Sequence, residues 1–321
     1  MEQGERRERR GQSRRRRERQ HRTALTAAGG GALLVAVVLG LAALSRGEDK
    51  DSGQAPPGSE LPRGGRSIFP EFRVVGFYGT PQDEELGVLG AGSPESIAGR
   101  LERQARPYAE GPGARPTLSA FELIAVVANA SPGDDGKFRT RLEPATIRRY
   151  LAAARRARAL LILDIQPGRA DFPEEISRLE PFLAQPDVGL ALDPEWHMGE
   201  DEVPGESIGS MTADELNQIS ARLSEVVRRG RLPEKLLVVH QFTKEMVEGR
   251  ERLRRYPGVE LVLNVDGFGD RTLKVAKYNE FVSDRSPARH GFKLFYREDT
   301  NLMGPRDVLS LRPQPEFVVY E

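Results

Sequence analysis

The chain has 321 residues, enough for one large or two medium domains, with 38% hydrophobic and 30% charged residues. Its net charge of zero is uneven: residues 1–23 hold ten Arg and four Glu, which leaves 38 bases against 44 acids in the remainder. Such an acidic body is ill suited to nucleic acid or polyanionic envelope polymers, and the lack of cysteine excludes disulfides, thiolate metal sites, cysteine nucleophiles and Cys-linked lipid anchors.

The basic arm (1–23) is followed by "ALTAAGGGALLVAVVLGLAAL", Ala24 to Leu44, 21 residues without a charge. As a helix it is about 30 Å long, sufficient to cross a bilayer. Arginines flank only its N-terminal side. The positive-inside rule then predicts a single-pass anchor in the cell membrane, with a cytoplasmic N-terminus and an extracytoplasmic remainder. A cleaved signal peptide is the rival, since Ala43-Leu44-Ser45 offers small residues, but the apolar run exceeds the usual signal core. Either reading exports the rest of the chain. Residues 45–70 are rich in Gly, Pro, Ser and charge and read as a flexible linker.

From residue 71 to 321 short apolar runs alternate with helical patterns, the signature of repeated βα units. Strands are predicted at 72–78, 121–128, 159–165, 188–192, 235–241, 259–265, 291–296 and 316–320. Eight such units close a (βα)₈ TIM-like barrel, the fold class predicted here. Between them, Ser93-Pro94-Glu95 opens a helix with a cap and a first-turn proline. "EPATIRRYLAAARRARA" repeats apolar residues on one face. "TADELNQISARLSEVVRRG" starts with a capping box, Thr212 and Glu215, and is expected to end at Gly230. The last connection, "GPRDVLSL", is short. A doubly wound sheet is the alternative fold, but "GFYGTPQ" after the first strand is not a glycine-rich nucleotide loop.

Chemistry in such barrels sits at the C-terminal ends of the strands. That rule selects Tyr78 after the first strand and Asp164 at the end of the third. Asp193, Glu195, Trp196 and His197 follow the fourth, in "VGLALDPEWHMG". His240 and Gln241 close the fifth, Asp266 the sixth, and Tyr296 and Glu298 follow the seventh. His290 precedes its strand and His21 lies in the arm, so neither is a candidate. The catalytic candidates are Glu195, Asp193, Asp164 and Glu298; Trp196, His240, Tyr78, Asp266, Tyr296, Gln241 and His197 are substrate-binding candidates. Carboxyl groups with aromatic residues between them suit carbohydrate chemistry, where one carboxyl protonates the glycosidic oxygen and a second carboxylate attacks the sugar or activates water. The segment Met198–Met211 reads as a lid over this mouth.

On these residues the domain resembles barrel-type glycoside hydrolases, many of which carry the acid/base glutamate after the fourth strand and the nucleophile at the seventh. Glu195 and Glu298 occupy those regions. "VGLALDPEW" is also loosely similar to the fourth strand of chitinase-type barrels. Two features depart from these patterns: Pro194-Glu195 stands where the first group has Asn-Glu, and the chitinase-type array of spaced aspartates is absent. The Arg- and Ala-rich make-up resembles that of membrane-anchored actinobacterial envelope proteins. The expected function is an extracytoplasmic glycoside hydrolase-like enzyme acting on an envelope or environmental glycan, with no cofactor and no metal. The expected partners are the bilayer through 24–44 and a glycan, without nucleic acid. A non-catalytic glycan-binding or structural module on the same barrel is the alternative. A metal-dependent hydrolase using Asp193, Glu195, His197 and His240 is a third reading, but the His-x-His of amidohydrolase-type barrels is missing after the first strand.

Overall fold

The structure is a computed structural model that describes residues 60–110, 114–282 and 286–321. The basic arm, the apolar segment 24–44 and residues 45–59 lie outside the described residues. Among the described residues no helix is long and apolar enough to cross a membrane.

The strands in chain order are β1 (Arg73–Gly79), β2 (Thr117–Ala128), β3 (Arg139–Arg141), β4 (Leu160–Ile165), β5 (Val188–Leu192), β6 (Met211–Thr212), β7 (Lys235–Gln241), β8 (Val247–Glu248), β9 (Val259–Val265), β10 (Arg289–Leu294) and β11 (Phe317–Tyr320). All eight expected strands are present, as β1, β2, β4, β5, β7, β9, β10 and β11. They pair in parallel in that order, and β1 pairs with both β2 and β11, so the sheet closes on itself. Closure excludes the open doubly wound alternative and makes the domain an α/β, TIM-like barrel. The short β3 pairs antiparallel with β2 outside the barrel, and β6 pairs with β8 in a separate two-residue ladder.

Among the described residues six α-helices accompany the strands: α1 (Pro94–Ala105), α2 (Pro144–Arg156), α3 (Phe172–Leu183), α4 (Ala213–Gly230), α5 (Arg271–Phe281) and α6 (Pro305–Leu309). Their starts follow local chemistry. Ser93 caps α1, Asp171 caps α3 and Asp270 caps α5, and Thr212 with Glu215 forms the expected capping box on α4. α4 ends at Gly230, as expected. Gly230 is its last helical residue, and Arg231 takes the left-handed cap conformation at φ 48°. Between β7 and β9 the chain forms no α-helix, only the short β8 and 3₁₀ turns at Lys244–Met246 and Arg250–Arg252 on either side of it.

Strand alternation sends side chains into two cores. Val75, Phe77, Leu123, Leu161, Leu163, Leu190, Val239 and Leu263 face outward against the helices. Val74, Leu118, Leu160, Ile162, Ala191, Leu236, Val238, Val262, Phe317 and Val319 fill the interior. Residues 61–69, counted with the flexible linker from their composition, correct that expectation: Leu61, Ile68 and Phe69 are buried in the interior core and plug its N-terminal end. The plug is tied by the Ile68 amide donating to Glu234 Oε2 (2.6 Å), the Glu234 amide donating to Arg66 O (2.8 Å), and Arg66 Nη2 donating to the carbonyls of Arg231 and Leu232. Composition misled here because three apolar residues spread through a Gly- and Arg-rich stretch carry no periodicity.

Candidate active site

The interior changes character along the strands. Above the apolar layers, successive inward positions become polar: Tyr78 on β1, Glu122 on β2, Asp164 on β4, Asp193 after β5, His240 on β7, Asp266 after β9, Lys293 on β10 and Glu321 after β11. All are buried. Register places Tyr78 beside Glu122 and His240 beside Asn264. Lys293 lies two residues beyond Gly291, where a Cβ would sit 2.5 Å from Asn264 Oδ1. Only glycine leaves room for Asn264 at that level.

These side chains form two linked networks. In the first, Tyr78 Oη donates to Asp164 Oδ2 (2.9 Å) and accepts from Gln166 Nε2 (3.1 Å), whose Oε1 accepts from the Ala128 amide. In the second, His240 bridges Glu122 Oε1 through Nε2 (3.1 Å) and Asp266 Oδ2 through Nδ1 (3.3 Å). Lys293 Nζ pairs with Asp266 Oδ2 (3.2 Å) and Glu321 Oε2 (2.8 Å) and lies 3.7 Å from the centre of the Tyr78 ring. The tyrosine and histidine rings meet edge to face, 5.4 Å between centres.

Burial and neighbours separate the protonation states. Burial pushes the Asp193 carboxyl well above the usual carboxylate range; His240 opposes this, and Asp164 and Glu195 reinforce it. Burial likewise raises Asp164 to about 6, with His240 opposing and Glu122 reinforcing. Asp266 is the reverse case. Burial again works against its charge, but Lys293 and His240 overcome it and hold the carboxylate far below its usual range. Burial alone would lower His240, yet Glu122 and Asp266 raise it well above an ordinary histidine. Tyr78 is raised by burial and Asp164 and stays a neutral donor.

A cleft of about 60 Å³ opens over these networks, walled by Tyr78, Ile124, Gln166, Asp193, Glu195, Trp196, Phe242, Asp266, Phe268, Lys293, Phe295 and Glu321. Its rim is braced from below. Lys274 Nζ donates to the carbonyls of Gly267 (2.9 Å) and Lys293 (2.8 Å) and pairs with Asp299 (2.9 Å), which also accepts from the Phe295 and Gly269 amides. That buried clamp fixes the loops that carry Phe268 and Phe295.

Of the residues selected from sequence, Tyr78, Asp193, Glu195, Trp196 and Asp266 line the cleft, and Asp164 and His240 support it from beneath. The others lie elsewhere. Glu298 and Tyr296 line a second hollow beside the cleft, where Tyr296 stacks on Tyr320 and donates to Gln104. His197 lies in a groove between α3 and α4, packed on Phe172, its Nδ1 bonded to Ser210 O (3.0 Å). Gln241 is buried at the outward phase of β7, paired with Val265. The expected lid does not cover the cleft: no residue of 198–211 lines it. That segment is pinned to the side, with the Gly209 amide on Glu195 O and the Met198 amide on Gly168 O (both 2.8 Å). A Cβ on Gly209 would lie 2.2 Å from His197 O, so the loop packs at backbone contact. The Asp193-x-Glu195-x-His197 set is therefore not gathered at one point, and among the described residues no group of three or more His, Asp or Glu is disposed to hold a metal ion.

Glu122, Lys293 and Glu321 escaped the sequence selection. Their signal was present: a charge at the inward phase of an apolar strand, as in "FELIAVV" and "GFKLF", must find a partner inside the barrel. No protein-family model and no curated protein matches the chain.

Proposed function

We propose that the barrel is a glycoside hydrolase-like domain, carried outside the cell membrane by the 24–44 segment, that cleaves an envelope or environmental glycan. One observation carries this reading. Two carboxyl groups line one cleft in opposed environments: burial pushes Asp193 well above the usual carboxylate range, while Lys293 and His240 hold Asp266 well below it against the same burial. Environments that push two titratable groups apart are what acid/base division of labour requires. In this scheme Asp193 gives its proton to the glycosidic oxygen as the bond from that oxygen to the anomeric carbon breaks, and water then adds to the anomeric carbon and returns its proton to the Asp193 carboxylate, with Glu195 beside it in the cleft. The Asp266 carboxylate faces the positive charge that develops on the sugar, and Trp196, Phe242 and Phe268 offer apolar faces to sugar rings.

The test is a panel of cell-wall and storage polysaccharides incubated with the full chain, Glu195→Gln and Asp193→Asn. The wild type is expected to cleave at least one polymer, and each variant to lose roughly 100-fold or more in kcat/KM. Equal rates in wild type and Glu195→Gln would remove Glu195 from the mechanism. A second reading, a non-catalytic glycan-binding module, is favoured by the prior engagement of Asp266 with Lys293 and His240 and by the displacement of Glu298 into the second hollow. Binding without cleavage of any polymer would select it.

A further inference from the structure

The second hollow, about 160 Å³, adjoins the cleft. Glu321 belongs to both walls. Leu86 faces the cleft while Glu84 and Glu85 line the hollow, and Phe295 faces the cleft while Tyr296, Arg297 and Glu298 line the hollow. The two therefore form one groove across the ends of β1, β10 and β11.

That groove is acidic along its whole length. Asp193, Glu195, Asp266 and Glu321 stand in the cleft against Lys293 alone, which is already paired with Asp266 and Glu321. Glu84, Glu85 and Glu298 stand in the hollow against Arg100 and Arg297. Seven carboxyl groups thus line the groove beside three cations, with His240 beneath Asp266 and Lys277 over Phe242 adding positive charge behind the wall. A second observation is independent of charge. Asp193 is 5% exposed and lines the cleft, yet its carboxyl has no hydrogen-bond partner among the described residues. Beneath it, Glu122 Oε2 and Asp164 Oδ1 are buried acceptors without a donor. Buried acceptors of this kind call for donors.

Resting on the glycosidase-like reading, we propose that this groove selects a glycan with free amino groups, a polymer of de-N-acetylated hexosamine. An ammonium group brings three donors and a positive charge to carboxyl oxygens such as those of Asp193, and Trp196 supplies a ring face that attracts cations, as Phe242 already does for Lys277, 4.1 Å from its ring centre. An N-acetyl group is neutral and gains nothing from the field. A uronate or phosphate on the sugar is repelled by it.

The test is titration calorimetry of the full chain with the glucosamine tetramer and the N-acetylglucosamine tetramer, at about pH 6 and low salt and again in about 0.5 M salt, where screening acts over a few ångströms. The same samples are assayed for cleavage. The glucosamine tetramer is expected to bind roughly tenfold tighter, with the advantage shrinking in salt and falling about threefold in Glu84→Gln and again in Glu298→Gln. Equal or tighter binding of the acetylated tetramer overturns the proposal, while its cleavage would leave the hydrolase reading standing. A preference untouched by both hollow variants also overturns the assignment of the groove. A preference that responds to them without cleavage upholds the proposal and ends the hydrolase reading. Binding of neither tetramer overturns the proposal, and the polysaccharide panel then decides the hydrolase reading separately.

Discussion

The two ends of this barrel are built by the same eight strands and are chemically opposite. At the N-terminal end Leu61, Ile68 and Phe69 press on Val74, Leu118, Leu160, Leu236 and Phe317, a closed apolar plug. At the C-terminal end the inward positions of the same strands carry Tyr78, Glu122, Asp164, His240 and Lys293. The first end gains stability simply by excluding water. The second holds charges in a low-dielectric interior, where each ion needs a partner and removal of one partner is more damaging than removal of both. The barrel concentrates stability at one end and keeps adjustable protonation at the other.

Four experiments would break or sharpen this contrast, beginning with the largest effect. Deleting residues 60–70 uncovers the plug and returns three apolar side chains to water, a loss of roughly 5–9 kcal/mol. A chain starting at 71 should therefore be insoluble or unfolded by circular dichroism, whereas one starting at 60 should melt cooperatively. At the mouth, Lys293→Met removes the lysine that pairs with both Asp266 and Glu321, leaving Asp266 with His240, and should cost about 3–5 kcal/mol in urea unfolding. Adding Asp266→Asn to it should recover part of that loss; a double variant as unstable as the sum of the two singles would show that the pair is not coupled.

The third experiment reads pH. The folded-state value of Asp164, about 6, lies above its ordinary 3.8, so the folded protein binds the extra proton across that window. The Asp164 contribution is then fully present below about pH 4 and lost as the pH rises through 6, on the order of 2–3 kcal/mol. His240, also raised, adds a loss of the same sign at higher pH as its proton leaves. Asp164→Asn should flatten the fall between about pH 4 and pH 6 and leave the later one; an unchanged slope would remove Asp164 as its source. The smallest effect lies back at the plugged end. Arg231 occupies the left-handed position that closes α4, so Arg231→Gly should stabilise by about 1 kcal/mol in thermal melts. A destabilisation would mean that the contact between its carbonyl and Arg66 depends on the arginine backbone geometry.

Much of this was legible in the sequence. All eight strands and the α4 capping box stand where periodicity and cap chemistry place them, because alternation and capping are local. The absence of a helix after β7 was not legible, since "TKEMVEGRERLRRYPG" carries helix formers whose tertiary surroundings impose 3₁₀ turns instead. The mouth was read in part. Strand-end residues such as Asp193 and Asp266 follow from the barrel rule. His197 and Glu298 obey the same rule, but loop packing carries them to other surfaces.

Sequence alone determined the architecture: strands of alternating and continuous apolar character separated by helix signals can bury their surface together only as a closed parallel barrel. It also determined that carboxyl groups would gather at the C-terminal mouth. Tertiary structure decided which of them meet and in what state. Glu122, Lys293 and Glu321 acquire meaning only when strands far apart in the chain bring opposite charges within about 3 Å, as the ion pairs at 3.1, 3.2 and 2.8 Å do. The raised Asp193 carboxyl and the lowered Asp266 carboxyl are made by burial and proximity, which no single stretch of sequence contains.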